Sequence, residues 1–174
     1  IYAVDEEVEL FINDVSVGQK PAGPACQNRV TFDVTYQPGT IEAVGYCGGK
    51  EASRTFLKTA GAPVALRLAP DRDAIRCDYG DLAYITIEIV DQHGYVVKYT
   101  ELEVFFEVMG AGELLAVGTA NPMSEEPYVG NRRKAWNGRL LAVVRSSGQP
   151  GEMVLRAHAD GLLSSELRLQ ARED

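Results

Sequence analysis

Histidine is almost absent from this chain, with two in 174 residues, His93 and His158. A Ser-His-Asp relay needs an imidazole as general base. His93 falls in the polar turn Asp91-Gln92-His93-Gly94, and His158 sits at an outward position of an expected strand. Both read as surface residues. Cysteine is scarce too. Cys26, Cys47 and Cys77 make an odd set with no CxxC spacing, which excludes a disulfide framework and a zinc knuckle. The three thiols are expected to be reduced. That favours a reducing compartment, with cytoplasm preferred and periplasm left open. No P-loop and no GxGxxG fingerprint occurs, and neither a metal nor a cofactor is expected. No apolar run approaches the ~20 residues of a membrane helix, and no signal peptide opens the chain. Positive charge is in deficit, 17 basic against 25 acidic residues for a net charge of -8. This argues against nucleic acid or an anionic membrane as partner. The one basic cluster, Arg132-Arg133-Lys134, stands close to Glu125 and Glu126 and reads as a solvated loop.

What the chain does have is short alternating strands. Val8-Glu9-Leu10-Phe11-Ile12, Val30-Thr31-Phe32-Asp33-Val34, Ile85-Thr86-Ile87-Glu88-Ile89 and Met153-Val154-Leu155-Arg156-Ala157 all alternate apolar with polar residues. Period two means a sheet packed on one face and wet on the other. Gly, Pro, Asn and Asp punctuate these runs, and no helical stretch intervenes. The fold class expected is all-β, as two consecutive immunoglobulin-like sandwiches. The first, residues 1–60, is small and reads as truncated. Its strands are expected near 7–12, 15–20, 29–36, 40–47 and 51–58. The second, residues 61–174, has strands expected near 64–69, 74–77, 83–90, 102–108, 114–117, 139–145, 152–159 and 164–170. The Cys…Trp…Cys signature of antibody domains is missing. Ile1-Tyr2-Ala3-Val4 reads as a chain opening inside a strand, as an excised piece would.

The stretch Gly118 to Gly138, GTANPMSEEPYVGNRRKAWNG, breaks this rhythm. Loops longer than about 12–15 residues inside a domain are usually functional or disordered. Glu125, Glu126, Tyr128, Arg132, Arg133 and Trp136 make it a candidate docking loop, with Trp136 expected to plug the core and Tyr128 to face outward. Glu125 and Glu126 are adjacent, so they cannot flank a glycosidic bond as an acid and a nucleophile. Asp71, Asp73 and Asp78 offer oxygens for calcium, but Arg72 and Arg76 between them favour surface ion pairs. Trp136, Tyr128, Tyr95 and Tyr99 are possible sugar-stacking platforms.

Several phrases together resemble bacterial β-galactosidases of glycoside hydrolase family two. Val8 to Gly18 resembles VELFLNGKSLG, Tyr36 to Tyr46 resembles YEPGTLKAVAY, and Thr59 to Pro63 resembles a TAGxP junction. Leu82 to Asp91 with Gly94 resembles LAYVTVEVVDxxG. Val117 to Pro122 resembles GVGNGDP, Arg133 to Gly138 resembles RKAFNG, and Leu141 to Ser146 resembles LAIVRS. The pieces span the chain in order. Two departures stand out: Asn13-Asp14 replaces the usual Asn-Gly, and the Asp of GNGDP is lost. The resemblance implies two sandwiches C-terminal to a catalytic barrel that carries both catalytic glutamates. It therefore transfers no catalytic residue to this chain, which is expected to be inactive alone. It also implies that the partners are the barrel and other domains of the same parent chain, with a homo-oligomer of the parent possible. The alternative is a carbohydrate-binding or adhesin-like module.

Overall fold

A computed structural model describes residues 1–173. It is all-β, with thirteen strands and a single 3-10 turn at Pro24–Cys26. The chain separates into two compact units, Ile1–Thr59 and the residues from Ala60 onward.

The first unit is built on β1 (Glu7–Ile12), β2 (Val15–Pro21), β3 (Thr40–Cys47) and β4 (Lys50–Lys58), in the antiparallel order β2-β1-β3-β4. Two turns set its register. Asn13 and Asp14 have φ of 50° and 66°, and Gly48 and Gly49 have φ of 56° and 72°. Positive φ at both central residues gives a hairpin turn whose twist matches the flanking strands. The Asn13 side chain fixes this corner further. Its Oδ1 accepts the Thr40 N–H at 2.8 Å, and its Nδ2 donates to the Pro38 carbonyl at 3.1 Å. Val8, Leu10 and Ile12 alternate onto one face and are buried.

Irregular chain covers that face. The alternation of Val30, Phe32 and Val34 suggests a strand over 29–36, but none forms there; Arg29 makes only an isolated bridge with Tyr2. Val30 and Phe32 still pack on Val8. Both edges of β1 are already taken by β2 and β3. The segment contributes these side chains to the buried face of β1 without joining its ladder. Val34, beyond that contact, is exposed.

The second unit is a two-sheet sandwich. One sheet has β5 (Ala65–Pro70), β7 (Leu82–Val90), β11 (Arg139–Ser146) and β9 (Gly112–Gly118), in the order β5-β7-β11-β9. The other has β10 (Arg132–Lys134), β8 (Glu103–Gly110), β12 (Gly151–His158), β13 (Ser165–Arg172) and β6 (Ala74–Arg76), in the order β10-β8-β12-β13-β6. Among the described strands, β6 and β13 form the one parallel pair. Ile85, Ile87, Ile89, Leu140 and Val144 from the first sheet share one core with Val104, Phe106, Met153, Leu155 and Leu169 from the second. Burying each such side chain is worth about 1.5–3 kcal/mol.

The outward face of the five-stranded sheet is ionic. Arg156 reaches Glu166 at 2.7 Å and Glu107 at 3.5 Å, and Arg168 pairs with Glu152. His158 lies at this surface, stacked on Phe105 with ring centroids 5.1 Å apart. A further bonded cluster gathers at the start of the unit. Asp91 is buried and accepts the N–H of Gly61 at 2.7 Å and those of His93 and Tyr95 at 2.9 Å. The Tyr99 hydroxyl donates to the Gly61 carbonyl at 2.8 Å.

Candidate functional site

The segment after β9 runs from the edge of one sheet to the edge of the other. The Val117 N–H donates to the Tyr128 carbonyl, and the Phe106 N–H donates to the Asn131 carbonyl, both at 2.8 Å. These two bonds tie the segment to both sheets. The chain then forms β10, which pairs with β8 and places Arg133 opposite Val104. Opposed residues of an antiparallel pair share a face, and Val104 points into the core. Arg133 therefore points inward as well and is 1% exposed.

This corrects the reading of Arg132-Arg133-Lys134 as solvated loop. Only Arg132 and Lys134 face water. The sign was present in the sequence: Arg133 shares parity with Ala135, which is also buried. A triplet of bases hid that alternation.

Arg133 is held by the loop it supports. Its Nη1 donates to the carbonyls of Glu126 (2.6 Å) and Pro127 (3.1 Å), and its Nη2 donates to the Ser124 hydroxyl at 3.1 Å. The Nε makes no hydrogen bond and lies 3.7 Å from the Glu126 carboxylate. The Tyr128 ring sits over the guanidinium at 4.9 Å. Glu126 in turn accepts from the Ser124 hydroxyl at 3.1 Å and from the Lys134 N–H at 3.3 Å. A buried cation held by two carbonyls, a hydroxyl and one carboxylate is a device for fixing backbone, since each contact constrains the chain that supplies it.

The six candidate residues thus divide. Glu126, Tyr128 and Arg133 come together. Glu125 is exposed, and Arg132 turns out to Glu103 at 3.7 Å. Trp136 stands apart in the β10–β11 hairpin, where its N–H and carbonyl both bond Arg139 at 3.0 Å. It is half-buried and lies outside the core cluster, to which its neighbours Ala135 and Leu140 belong. Ser124 belongs to the cluster, and sequence reasoning passed over it because a lone serine in a loop carries no signal.

Of the aspartates considered for calcium, Asp71 and Asp78 are turned to local donors and Asp73 is exposed. Asp71 accepts the Tyr84 N–H at 2.8 Å and pairs with Arg72, and Asp78 accepts from Gly80 and Asp81. Among the described residues no three His, Cys, Asp or Glu side chains converge as a metal site. A shallow hollow of about 280 Å³ lies between Ile75, Arg76, Asp81 and Arg172. Asp81 in its lining is held below the usual carboxylate range by the Arg76 N–H, against burial, and then by the Leu82 N–H and nearby arginines. All three cysteines are free.

Residues 66–168 match the family model for glycoside hydrolase family 2 C-terminal domain 5. The chain belongs to that family. Residues 1–53 match a second model, a domain of unknown function (DUF4982). Among curated proteins the chain is 34% identical over 172 residues to the β-galactosidase BoGH2A of Bacteroides ovatus, covering 99% of this chain and 20% of that protein. It is 29% identical to a β-galactosidase of Thermoanaerobacter pseudethanolicus, covering 90% of this chain and 21% of that one. Among solved structures, a glycosyl hydrolase family 2 member from Bacteroides cellulosilyticus superposes with a TM-score of 0.93 at 36% identity, over 97% of this chain and 22% of its own. The chain therefore spans about a fifth of the length of the curated relatives it matches. The family placement carried by the phrases from Val8 to Ser146 stands, as does the all-β sandwich architecture.

Proposed function

We propose that this chain is the non-catalytic C-terminal region of a β-galactosidase, where it braces a catalytic barrel elsewhere in the same polypeptide and contributes domain or subunit contacts. The observation that carries the reading is the match of both units, nearly end to end, to one β-galactosidase. The Arg133 cluster gives it a physical form. The loop is already ordered around a buried cation, so presenting Tyr128 and its neighbours to another surface needs little further loss of chain entropy. Met123, Tyr128 and Val129 stand exposed along it, and such side chains suit a protein contact better than a soluble sugar.

The reading is tested by titrating the chain with galactose and simple β-galactosides while following backbone amide NMR shifts. No saturable shift is expected in residues 118–138. Saturable shifts confined to Tyr128 or Trp136 and their neighbours would instead identify a carbohydrate-binding module. In the full-length protein, Tyr128→Ala with Arg132→Ala should lower the melting temperature by more than it lowers that of this chain alone.

A further inference from the structure

We propose that the outer face of the four-stranded sheet is the seat on which the chain preceding residue 1 in the full-length glycosidase packs. This rests on the reading above and names the surface it requires. The two outward faces of the second unit differ in kind. The five-stranded sheet shows water a lattice of arginine and glutamate pairs. The four-stranded sheet shows an apolar stripe across three strands. On β11 and β7, Val143 lies opposite Tyr84, which is 43% exposed. On β9 a bulge at the Val143/Val144 step turns out Leu115, which is 36% exposed. Leu141, 37% exposed, lies opposite Gly118.

Gly118 joins this stripe to the loop. A Cβ placed on it would stand 3.6 Å from the Tyr128 ring, so that ring lies over the outward side of β9 beside Leu141. The sheet face and the Arg133-held loop are one continuous surface. Its two ends are charged but self-neutralised. At one end Glu88 is shared by Arg67 at 2.6 Å and Arg139 at 2.9 Å; at the other, Arg145 meets Glu113 at 3.0 Å. A partner lying between them would bury apolar area without stranding an unpaired charge. Aliphatic residues among the tyrosines make the stripe a poor stacking platform for sugar rings and a good one for side chains. The occupant is assigned to the same polypeptide because the curated β-galactosidases matched by this chain are about five times its length. A face of this kind is more economically covered by a tethered partner than by a diffusing one.

The test places a photo-crosslinking benzophenone side chain at Tyr84 in the full-length protein, with a probe at Glu107 on the opposite sheet as reference. The expected product migrates as a monomer on a denaturing gel, and its crosslinked peptide maps N-terminal to Ile1 at several times the yield of the Glu107 probe. A crosslink between two copies, or a yield equal to the reference, overturns the proposal. A second variant, Leu141→Lys, should lower the melting temperature of the full-length protein by several degrees; an unchanged value also overturns it. β-Galactoside hydrolysis measured on the same samples separates the two readings. Hydrolysis without the intramolecular crosslink defeats the docking surface alone. The crosslink in a protein without that activity supports the surface and defeats only the β-galactosidase assignment.

Discussion

Arg133 decides the shape of the loop, and its removal should be felt well beyond one side chain. Arg133→Met keeps much of the volume but strands the Glu126 and Pro127 carbonyls and the Ser124 hydroxyl. Unpaired buried polar groups cost about 1–3 kcal/mol each when water cannot reach them. The second unit should lose about 2–4 kcal/mol, a drop on the order of 10 °C by thermal denaturation. Arg133→Lys should not restore it, because an ammonium carries its donors on one nitrogen and cannot match the spacing of a fork that uses both Nη1 and Nη2. Asp91 gives a residue-scale test of another kind. The Gly61 N–H, against burial, and then the Tyr95 and His93 N–H groups hold its carboxyl below the usual range. A depressed native pKa stabilises the fold above the unfolded carboxyl's value, near 4, and that contribution is lost as pH falls through the native one. The melting-temperature gap between the wild type and Asp91→Asn should be full above about pH 5 and should close as the pH is lowered.

At the scale of elements, alternation was a sound guide wherever a strand had a free neighbour. It located β1, β3, β7 and β11 within a residue or so. It misled at 29–36, because burial against a sheet face produces the same pattern as membership of the sheet. It missed β10, whose three residues are all basic or flanked by base. Turn chemistry was equally legible. Asn13 and Asp14 hold positive φ, of 50° and 66°. Asp14→Gly, the residue pair more usual at this hairpin, should raise the stability of the first unit by about 0.5 kcal/mol, read as a small increase in denaturant midpoint. The same turn logic makes Gly138 hard to replace. It has φ of 69°, and a Cβ there would stand 2.5 Å from the Val97 carbonyl oxygen. Gly138→Ala should destabilise the β10–β11 hairpin by about 1–3 kcal/mol.

At the scale of the whole molecule, the family was legible in ordered phrases from Val8 to Ser146, whereas the site was only half legible. The length and composition of residues 118–138 marked the loop. Nothing in them revealed that a buried arginine organises it, because that follows from which sheet edges the chain links. The outer face of β7, β11 and β9 was hidden for the same reason. Tyr84, Leu141 and Val143 each look like ordinary strand residues until the register sets them side by side. The proposed bracing is tested most directly in the full-length protein, by the rate at which heating destroys the β-galactoside hydrolysis proposed for it, against a version lacking residues 1–174. The shortened protein should inactivate at least about ten-fold faster, a difference of about 1.4 kcal/mol in the barrier, or fail to accumulate in active form. If it hydrolyses with the same kcat and KM and survives heating as long as the whole protein, the chain does not brace the enzyme.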